Sequence, residues 1–294
     1  MPRPRVTALV GLILLILGTS APGWFAERSR PLARDIDHTS TAHSDNAHVG
    51  DTTQPATLLR HVTTNKVDTT GAVGFHNTVT LTAGDNSFAL SQEGLLNRES
   101  TYPMSGANTQ QSASGTGMFS LGMFSHAKDA ESSKVALGDF DGVTAFFPAR
   151  TEQRSYPYFD LVAQETVPID YRGEEKFRDI PAFVFYQERT GLQVASLLAD
   201  APLNYSFART IWVEPVTGEI LSQLENIELV DRAGQTVFSA QFEWDENSQI
   251  AAVDRVNATV RWVRISAVVG WVLAFVGVVL LLRTAVVYAK TRQF

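Results

Sequence analysis

Three histidines recur at intervals of five residues near the start of the chain, at His38, His43 and His48. Imidazole is the commonest metal ligand among side chains, so a metal site is the first chemistry to consider. A spacing of five, however, places the three rings on different faces of a helix and matches no zinc-binding pattern. We therefore predict that these histidines are solvated and bind no metal.

Acidic pairs are the other residues whose spacing could support chemistry. Asp139 and Asp141, followed by Gly142, resemble the opening of a calcium loop, but a third ligand position and the closing Glu are missing. Glu174 and Glu175 could form a catalytic pair, yet adjacent residues of a strand point to opposite faces. The chain has no Cys and no spacing typical of a nucleophilic serine, a metalloprotease or a phosphate-binding loop. We therefore predict a protein that is not an enzyme and has no catalytic residues, cofactor or metal.

The aromatic content is the unusual feature of the composition, with 17 Phe, 7 Tyr and 5 Trp. Large aromatic side chains could fill a core that no disulfide helps to hold. They could instead line an apolar groove that shelters an acyl chain. The candidate groove consists of six residues from the second half of the chain: Phe183, Phe185, Trp212, Phe238, Phe242 and Trp244.

Two uncharged runs, residues 6–26 and 265–282, are each long enough to cross a hydrocarbon core of about 30 Å. The first run could alternatively be a cleaved signal peptide, since small residues at 18–21 offer a cleavage site, but Pro22 follows them directly. Basic residues before the first run and after the second predict that both termini are cytoplasmic. The sequence thus predicts a two-pass protein of the cell membrane with an extracytoplasmic central domain.

Small residues are aligned along one face of each predicted membrane helix. Such alignment lets helices approach closely in lipid, where packing drives their association. The alternative is that Gly and Ala are simply common in membrane helices. The candidate helix-packing face, which would pair the two helices or dock on a partner, consists of Gly11, Gly18, Ala267, Gly270, Ala274 and Gly277.

The rest of the chain predicts a mainly β domain with antiparallel sheets, either sandwich-like or curled around a cavity, flanked by the two transmembrane helices. Alternation of apolar and polar residues predicts an antiparallel meander over residues 208–244. Residues 97–129 predict a long mobile loop and residues 191–199 a short helix. The predicted boundaries are 1–26 for the N-terminal transmembrane helix with a short basic tail, 27–54 for a flexible tether, 55–248 for the β-rich domain, 249–264 for a juxtamembrane stalk helix, 265–289 for the C-terminal transmembrane helix and 290–294 for a cytoplasmic tail.

All 31 acidic residues lie between residues 27 and 264, in the part predicted to be exported. A surface this acidic repels phosphate backbones, and the sequence has no basic stripe with interleaved aromatic residues. We therefore predict no nucleic-acid partner. No pattern in the sequence indicates an oligomeric state.

Two motifs are distinctive: Tyr-Pro-Tyr-Phe-Asp at residues 156–160 and Trp-Val-Glu-Pro-Val-Thr-Gly at residues 212–218. With Pro-Ile-Asp-Tyr at 168–171 and Phe-Val-Phe at 183–185, they resemble the actinobacterial porin PorA-like family of mycolic-acid bacteria. The resemblance covers nearly the whole chain, although the region before Gly138 matches only in character. It implies an N-terminal helix, an exported β-rich domain and a C-terminal helix.

The resemblance also implies a function. Members of this family look like membrane-anchored accessory proteins that bind envelope lipids or lipoglycans, such as mycolate-type glycolipids, or assist their trafficking beside a mycolate-lipid exporter. Two alternatives stay open: a scaffold for a membrane transporter that binds no cargo, and a porin, as the family label suggests. The porin alternative fits the sequence less well, because the predicted membrane segments are helices instead of strands with an apolar outer band.

Overall fold

A computed structural model describes residues 4–28, 31–104, 110–116, 133–136, 142–194 and 203–291. The chain divides into two compact units. A helical unit comprises Met1–Pro31 and Arg255–Phe294, and a β domain comprises Leu32–Asp254.

The β domain is a single antiparallel sheet in which every neighbouring pair of strands runs in opposite directions. The order across the sheet is β6-β5-β4-β3-β2-β1-β12-β11-β10-β9-β8-β7. The mainly β, antiparallel fold expected from the alternating sequence pattern is therefore confirmed. The described strands are β1 Asp37–Val49, β2 Thr52–Asn65, β3 Ala72–Ala83, β4 Asn86–Asn97, β5 Gln110–Thr116, β6 Ser133–Ala136, β7 Tyr156–Asp160, β8 Glu165–Phe177, β9 Ile180–Val194, β10 Leu203–Val213, β11 Ile220–Val230 and β12 Thr236–Trp244.

The sheet is curled. This follows from its apolar core, to which strands near both ends of the strand order contribute. The larger core cluster joins Phe75 and Leu90 of β3 and β4 to Phe159 of β7. A second cluster packs the ring of Phe147 against those of Tyr156 and Phe185, with centroids 5.6 Å and 4.9 Å away. Burial of these aromatic side chains is the main stabilising contribution in a chain without disulfides.

Strand β10 illustrates how the sequence builds the inner face of the sheet. Alternate residues of this strand are buried, as the period of two in a strand with one covered face requires. Its neighbours β9 and β11 pair with it along almost its whole length. The buried residues are Leu203, Tyr205, Phe207, Arg209, Ile211 and Val213.

The segment at residues 142–151 covers the free edge of β7. The amide of Val143 donates to the carbonyl of Pro157 at 2.8 Å, and its carbonyl accepts from the amide of Phe159 at 2.8 Å. Further along, the segment lies against Gly218, which has φ +76°, and a Cβ added there would collide with the carbonyl oxygen of Phe147. Only glycine fits both the left-handed conformation and this close approach.

The predicted flexible tether at residues 27–54 is wrong, because Asp37–Val49 forms β1 and β2 begins at Thr52. The inner face of β1 is built from small buried residues such as Ala42 and Ala47. Alanine side chains have little apolar surface, so the segment looks poor in apolar residues. Thr-rich segments nevertheless favour strands. The prediction failed because it weighed apolar content above alternation.

Two further predictions need correction. Within the segment predicted as a loop, residues 97–129, the stretch Gln110–Thr116 is strand β5 and pairs with β4. The segments 105–109 and 117–132 lie outside the described residues.

The predicted helix at residues 191–199 is wrong over its described part, since β9 continues to Val194 opposite Leu203. Pairing with β10 decides the conformation there, which local propensity does not foresee.

The helical unit contains helix α1, Pro4–Arg28, and most of helix α2, Glu246–Thr291. The predicted stalk at 249–264 and the membrane helix at 265–289 are successive parts of α2. Over Glu246–Ala289, α2 is long and apolar enough to cross a membrane. The apolar part of α1, Val6–Ser20, is shorter.

Gly218→Ala should lower the free energy of unfolding by roughly 1–3 kcal/mol, because the new Cβ meets both an unfavourable backbone conformation and the Phe147 carbonyl. Urea unfolding of the full chain in detergent measures the change. Gly234→Ala is the matched control, since Gly234 has φ +81° but no atom lies within 4 Å of its added Cβ. Equal losses for the two variants would show that the contact with Phe147 contributes nothing.

Candidate functional site

A cluster of charged side chains lies inside the curled sheet. Arg209 is 6% exposed, Asp160 1% and Glu225 5%. Nη2 of Arg209 lies 2.8 Å from Oδ2 of Asp160, and its Nε lies 2.8 Å from Oε1 of Glu225, which Nη2 also contacts. A buried charge is tolerated when it is paired and hydrogen-bonded, and Arg209 meets both conditions.

The strands place these side chains by register and by curvature. Arg209 of β10 lies directly opposite Glu225 of β11 and Gln187 of β9, whose Oε1 accepts from Nη1 of Arg209 at 3.0 Å. Asp160 comes from β7, three strands away from β10 in the order. In a flat sheet that separation would be about 14 Å, too far for an ion pair. The ion pair therefore depends on the curl of the sheet.

The remaining polar atoms of the cluster are also bonded. Oδ1 of Asp160 accepts from the amides of Val162 and Ala163 at 2.9 Å and 2.7 Å. Oε2 of Glu225 accepts from Nε2 of Gln223 at 2.9 Å. Each carboxylate thus has acceptor bonds on both oxygens, which compensates for its loss of water.

Burial and charge shift the pKa values of Arg209 and of Tyr205, whose hydroxyl donates to Oδ2 of Asp160 at 3.4 Å. Burial alone would lower the pKa of Arg209, but the carboxylates of Glu225 and Asp160 raise it well above its usual value. Burial, assisted by Asp160, raises the pKa of Tyr205 well above its usual value of 10.0. Both shifts favour a charged arginine and a neutral tyrosine, as expected of a cluster that supports the fold.

A small cavity adjoins this cluster on the inner face of β1, β2, β11 and β12. Its volume of about 20 Å³ holds about one water molecule, and it is partly open to the outside. Its lining consists of Ser40 and Ala42 of β1, Leu58 and Arg60 of β2, Gln223 and Glu225 of β11, and Phe242 and Trp244 of β12.

Two buried amides lie on the strands of the opposite half of the sheet. Asn77 of β3 and Gln92 of β4 face each other in register, and both are fully buried. Oγ1 of Thr144 donates to Oε1 of Gln92 at 3.3 Å, which ties residues 142–151 to β4. Among the residues that the structure describes, none bonds to Nε2 of Gln92 or to the side-chain polar atoms of Asn77, so a buried water would satisfy them.

The six aromatic residues of the predicted groove do not line one groove. Phe238 and Phe242 are buried in the larger core cluster, stacked with centroids 6.4 Å apart. Phe185 is buried in the second cluster with Phe183 at its margin. Trp212 alternates with the inner residues of β10 and donates from Nε1 to Glu175 at 3.0 Å on the opposite face of the sheet. The prediction is corrected because strand alternation separates aromatic residues that composition alone groups together.

Trp244 is the remaining member of the predicted groove. It packs at the margin of both core clusters and lines the small cavity.

The predicted helix-packing face is where α1 and α2 meet. A Cβ added to Gly11 would lie 3.0 Å from the carbonyl oxygen of Gly277. A Cβ added to Gly18 would lie 2.5 Å from the carbonyl oxygen of Gly270 and closer still to the amide nitrogen of Ala274. The structure thus brings five of the six residues together, and Ala267 lies half-buried one turn before Gly270.

The residues first considered for chemistry are separate in the structure. Nδ1 of His38 lies 3.9 Å from Oε1 of Glu219, and Nε2 of His43 lies 3.8 Å from Oδ2 of Asp245. His48 is half-buried near the end of β1. Throughout the described ranges, no group of three or more His, Cys, Asp or Glu side chains is placed to hold a metal ion. Asp139 and Asp141 lie outside the described residues.

Glu174 and Glu175 have different partners. Glu174 accepts from Nε2 of Gln153, whereas Glu175 accepts from Trp212.

Both family-like motifs serve the fold. In the first, Asp160 is the carboxylate that reaches Arg209, and the hydroxyl of Tyr156 accepts from the amide of Glu152 at 2.7 Å. In the second, Oε2 of Glu214 accepts from the amide of Thr217 at 2.7 Å and from its hydroxyl at 2.6 Å. The second motif is therefore a turn closed by its own carboxylate.

Sequence reasoning missed Arg209 and Glu225. The available signal was the alternation of β10, in which an arginine occupies an inner position between Phe207 and Ile211. A charged residue on an otherwise apolar strand face indicates a buried partner of opposite charge.

The antiparallel sheet and the apolar helix α2 are typical of a membrane-associated, β-rich protein. The family model described as Porin PorA matches residues 4–286, and the chain therefore belongs to this family, as its motifs predicted. A protein named Porin PorA from Corynebacterium resistens is 22% identical over 244 residues. That match covers 54% of this chain and 59% of the relative, so it spans less than two thirds of the relative's length.

Arg209→Met should lower the free energy of unfolding by about 3–5 kcal/mol, because it leaves Asp160 and Glu225 buried without a cation. Adding Glu225→Gln to the variant should recover part of this loss, and urea unfolding of the full chain in detergent gives both values. The control is Arg154→Met, which removes an exposed ion pair with an N–O distance of 2.7 Å and should cost at most about 1 kcal/mol. Similar losses for Arg209→Met and Arg154→Met would contradict the assigned role of the cluster.

Gly18→Leu should separate α1 from α2, because its side chain would overlap backbone atoms that cannot move aside. Since the chain has no Cys, spin labels on introduced Leu12→Cys and Val276→Cys report the pairing; both residues are exposed and are chain neighbours of Gly11 and Gly277, which are in contact. We expect the dipolar coupling between the labels to be lost in Gly18→Leu. Thr19→Leu, on the exposed side of α1, is the control, and unchanged coupling in Gly18→Leu would refute the contact.

Proposed function

We propose that the protein is an accessory protein of the cell envelope, anchored in the membrane by both α1 and α2, with the β domain outside the cytoplasm and both termini inside. The contact of Gly11 and Gly18 with the backbone of α2 supports retention of α1 as an anchor. Basic residues near both chain ends, Arg5 and Arg283 among them, support the orientation.

Within that role, we favour the scaffold over the lipid carrier. The observation that supports this choice is how the described residues pack inside the sheet. Three aromatic rings and an ion-pair cluster occupy the interior, and the small cavity beside Glu225 holds about one water molecule instead of an acyl chain. The protein would then assist lipid or lipoglycan traffic by holding its β domain beside a membrane exporter, without carrying the chain.

The porin alternative derives from the family description and from the name of the relative in Corynebacterium resistens. Conduction requires a continuous polar path. Three charged residues inside this sheet, Arg209, Asp160 and Glu225, are paired with one another and buried. Their pairing favours a structural role for the charges over a conducting one.

One preparation of the full chain in detergent tests these alternatives. After extensive detergent washing, mass spectrometry should find less than one lipid per protein, and planar bilayers containing the protein should show no conductance steps. One retained lipid per protein would overturn the scaffold in favour of the carrier, and reproducible conductance steps would favour the porin.

A variant tests whether the interior of the sheet has room for an apolar molecule. Phe147→Ala removes a ring that packs 4.9 Å from that of Phe185, so it should open space inside the sheet. An apolar fluorescent probe should bind this variant and not the original protein. Equal binding to both would show that the interior already admits apolar molecules, against the scaffold.

A further inference from the structure

Two half-buried arginines lie close together where the chain enters the β domain. Arg34 belongs to the segment that leads into β1, and Arg98 directly follows β4. Among the described residues, no Asp or Glu forms an ion pair with either guanidinium, whereas Arg209 has two carboxylate partners. The pair is therefore a local concentration of positive charge in a chain whose net charge is -7.

Hydrogen bonds of the backbone hold the two arginines in neighbouring positions. The amide of Leu32 donates to the carbonyl of Arg98 at 2.7 Å, and Nε of Arg98 donates to the carbonyl of Leu32 at 2.7 Å. The backbone just before and just after Arg34 bonds to Oγ1 of Thr64 at 2.9 Å and 3.0 Å. The segment is thus fixed in place without any hydrogen bond from the Arg34 side chain.

The fold leaves the charge of this pair without compensation. Nε of Arg34 is buried, and none of the described residues accepts a hydrogen bond from it. Burial, and after it the charge of Arg34, lowers the pKa of Arg98, and no carboxylate among the described residues offsets these two effects. A desolvated cation costs free energy unless an acceptor reaches it, and neighbouring cations repel each other. An anion between the two side chains would relieve both costs.

We propose that Arg34 and Arg98 together bind one phosphate group. A planar guanidinium presents paired N–H donors that match the oxygens of a phosphate. The oxygens of a tetrahedral phosphate point in different directions, so one phosphate can accept from two separate guanidinium groups. Arg98 uses Nε for the carbonyl of Leu32, which leaves its two Nη groups for the anion.

The phosphate could come from two sources, the head group of a phospholipid or free phosphate in solution. Arg34 follows Arg28, the last residue of α1, by only six positions in the sequence. In a protein anchored by α1, a phospholipid head group is therefore a source to test beside free phosphate. The lipid source rests on the proposed anchoring, whereas the arginine pair itself does not.

Isothermal titration of the full chain in a nonionic detergent tests the site with two probes, inorganic phosphate and dihexanoylphosphatidic acid. Saturable binding of at least one probe is expected, and Arg34→Gln should weaken it at least about tenfold, because a charge-assisted hydrogen bond is lost. Arg34→Lys, which keeps the charge and loses the paired donors, should give an intermediate affinity. Tighter binding of the lipid identifies a head group as the source, whereas equal or tighter binding of inorganic phosphate identifies the free anion.

Urea unfolding gives a second measurement that separates binding from folding. Without phosphate, Arg34→Gln should be at least as stable as the original protein, because its side chain makes no hydrogen bond in the fold and repels Arg98. Addition of the tighter probe, at constant ionic strength, should raise the urea midpoint of the original protein and leave that of Arg34→Gln unchanged.

Arg232→Gln is the matched control, because it makes the same charge change on the exposed turn between β11 and β12. Its affinity for both probes should equal that of the original protein. Absence of saturable binding, equal affinity in Arg34→Gln, or equal weakening in Arg232→Gln would each overturn the proposal. A lipid sheltered inside the sheet would be retained by Arg34→Gln, so failure of this site and failure of the scaffold role give different results.

Discussion

The pairing of Arg209 with two carboxylates is the constraint on which the rest of the β domain depends. An arginine cannot relieve its burial by losing a proton, so the fold has to bring acceptors to it. Glu225 lies on the adjacent strand, and a flat sheet could supply it. Asp160 lies on β7, so only a curled sheet brings it within 2.8 Å. The same curvature lets β3, β4 and β7 share one core. Electrostatic compensation and apolar burial therefore require the same geometry.

The family-like motifs acquire a physical meaning from this geometry. Asp160 ends the first motif and neutralises the buried arginine, while Glu214 closes the turn of the second. Gly218, the last residue of that turn, has no Cβ, so the carbonyl of Phe147 can lie directly against it. This contact holds the segment that covers the edge of β7. These residues hold the sheet in its curled form, and the motifs identify a fold more directly than an activity.

Much of the fold could be predicted from the sequence, but the interior site could not. The strands β10–β12 follow from alternation and turn residues, because both signals are local. Strand β1 was missed because its inner face uses Ala42 and Ala47, whose small side chains resemble those of a linker in composition. The contact between Arg209 and Asp160 joins residues 49 positions apart. Curvature creates that contact, and no local pattern encodes it.

The meeting of α1 and α2 has a consequence for how this protein can vary. Every amino acid except glycine carries a β-carbon, and at Gly18 that single atom already overlaps the main chain of the other helix. The position therefore has no conservative substitution, whatever the polarity or size of the new side chain. Divergence among descendants of this chain should spare Gly18 while the outward-facing Leu17 and Thr19 drift freely among lipid-compatible residues.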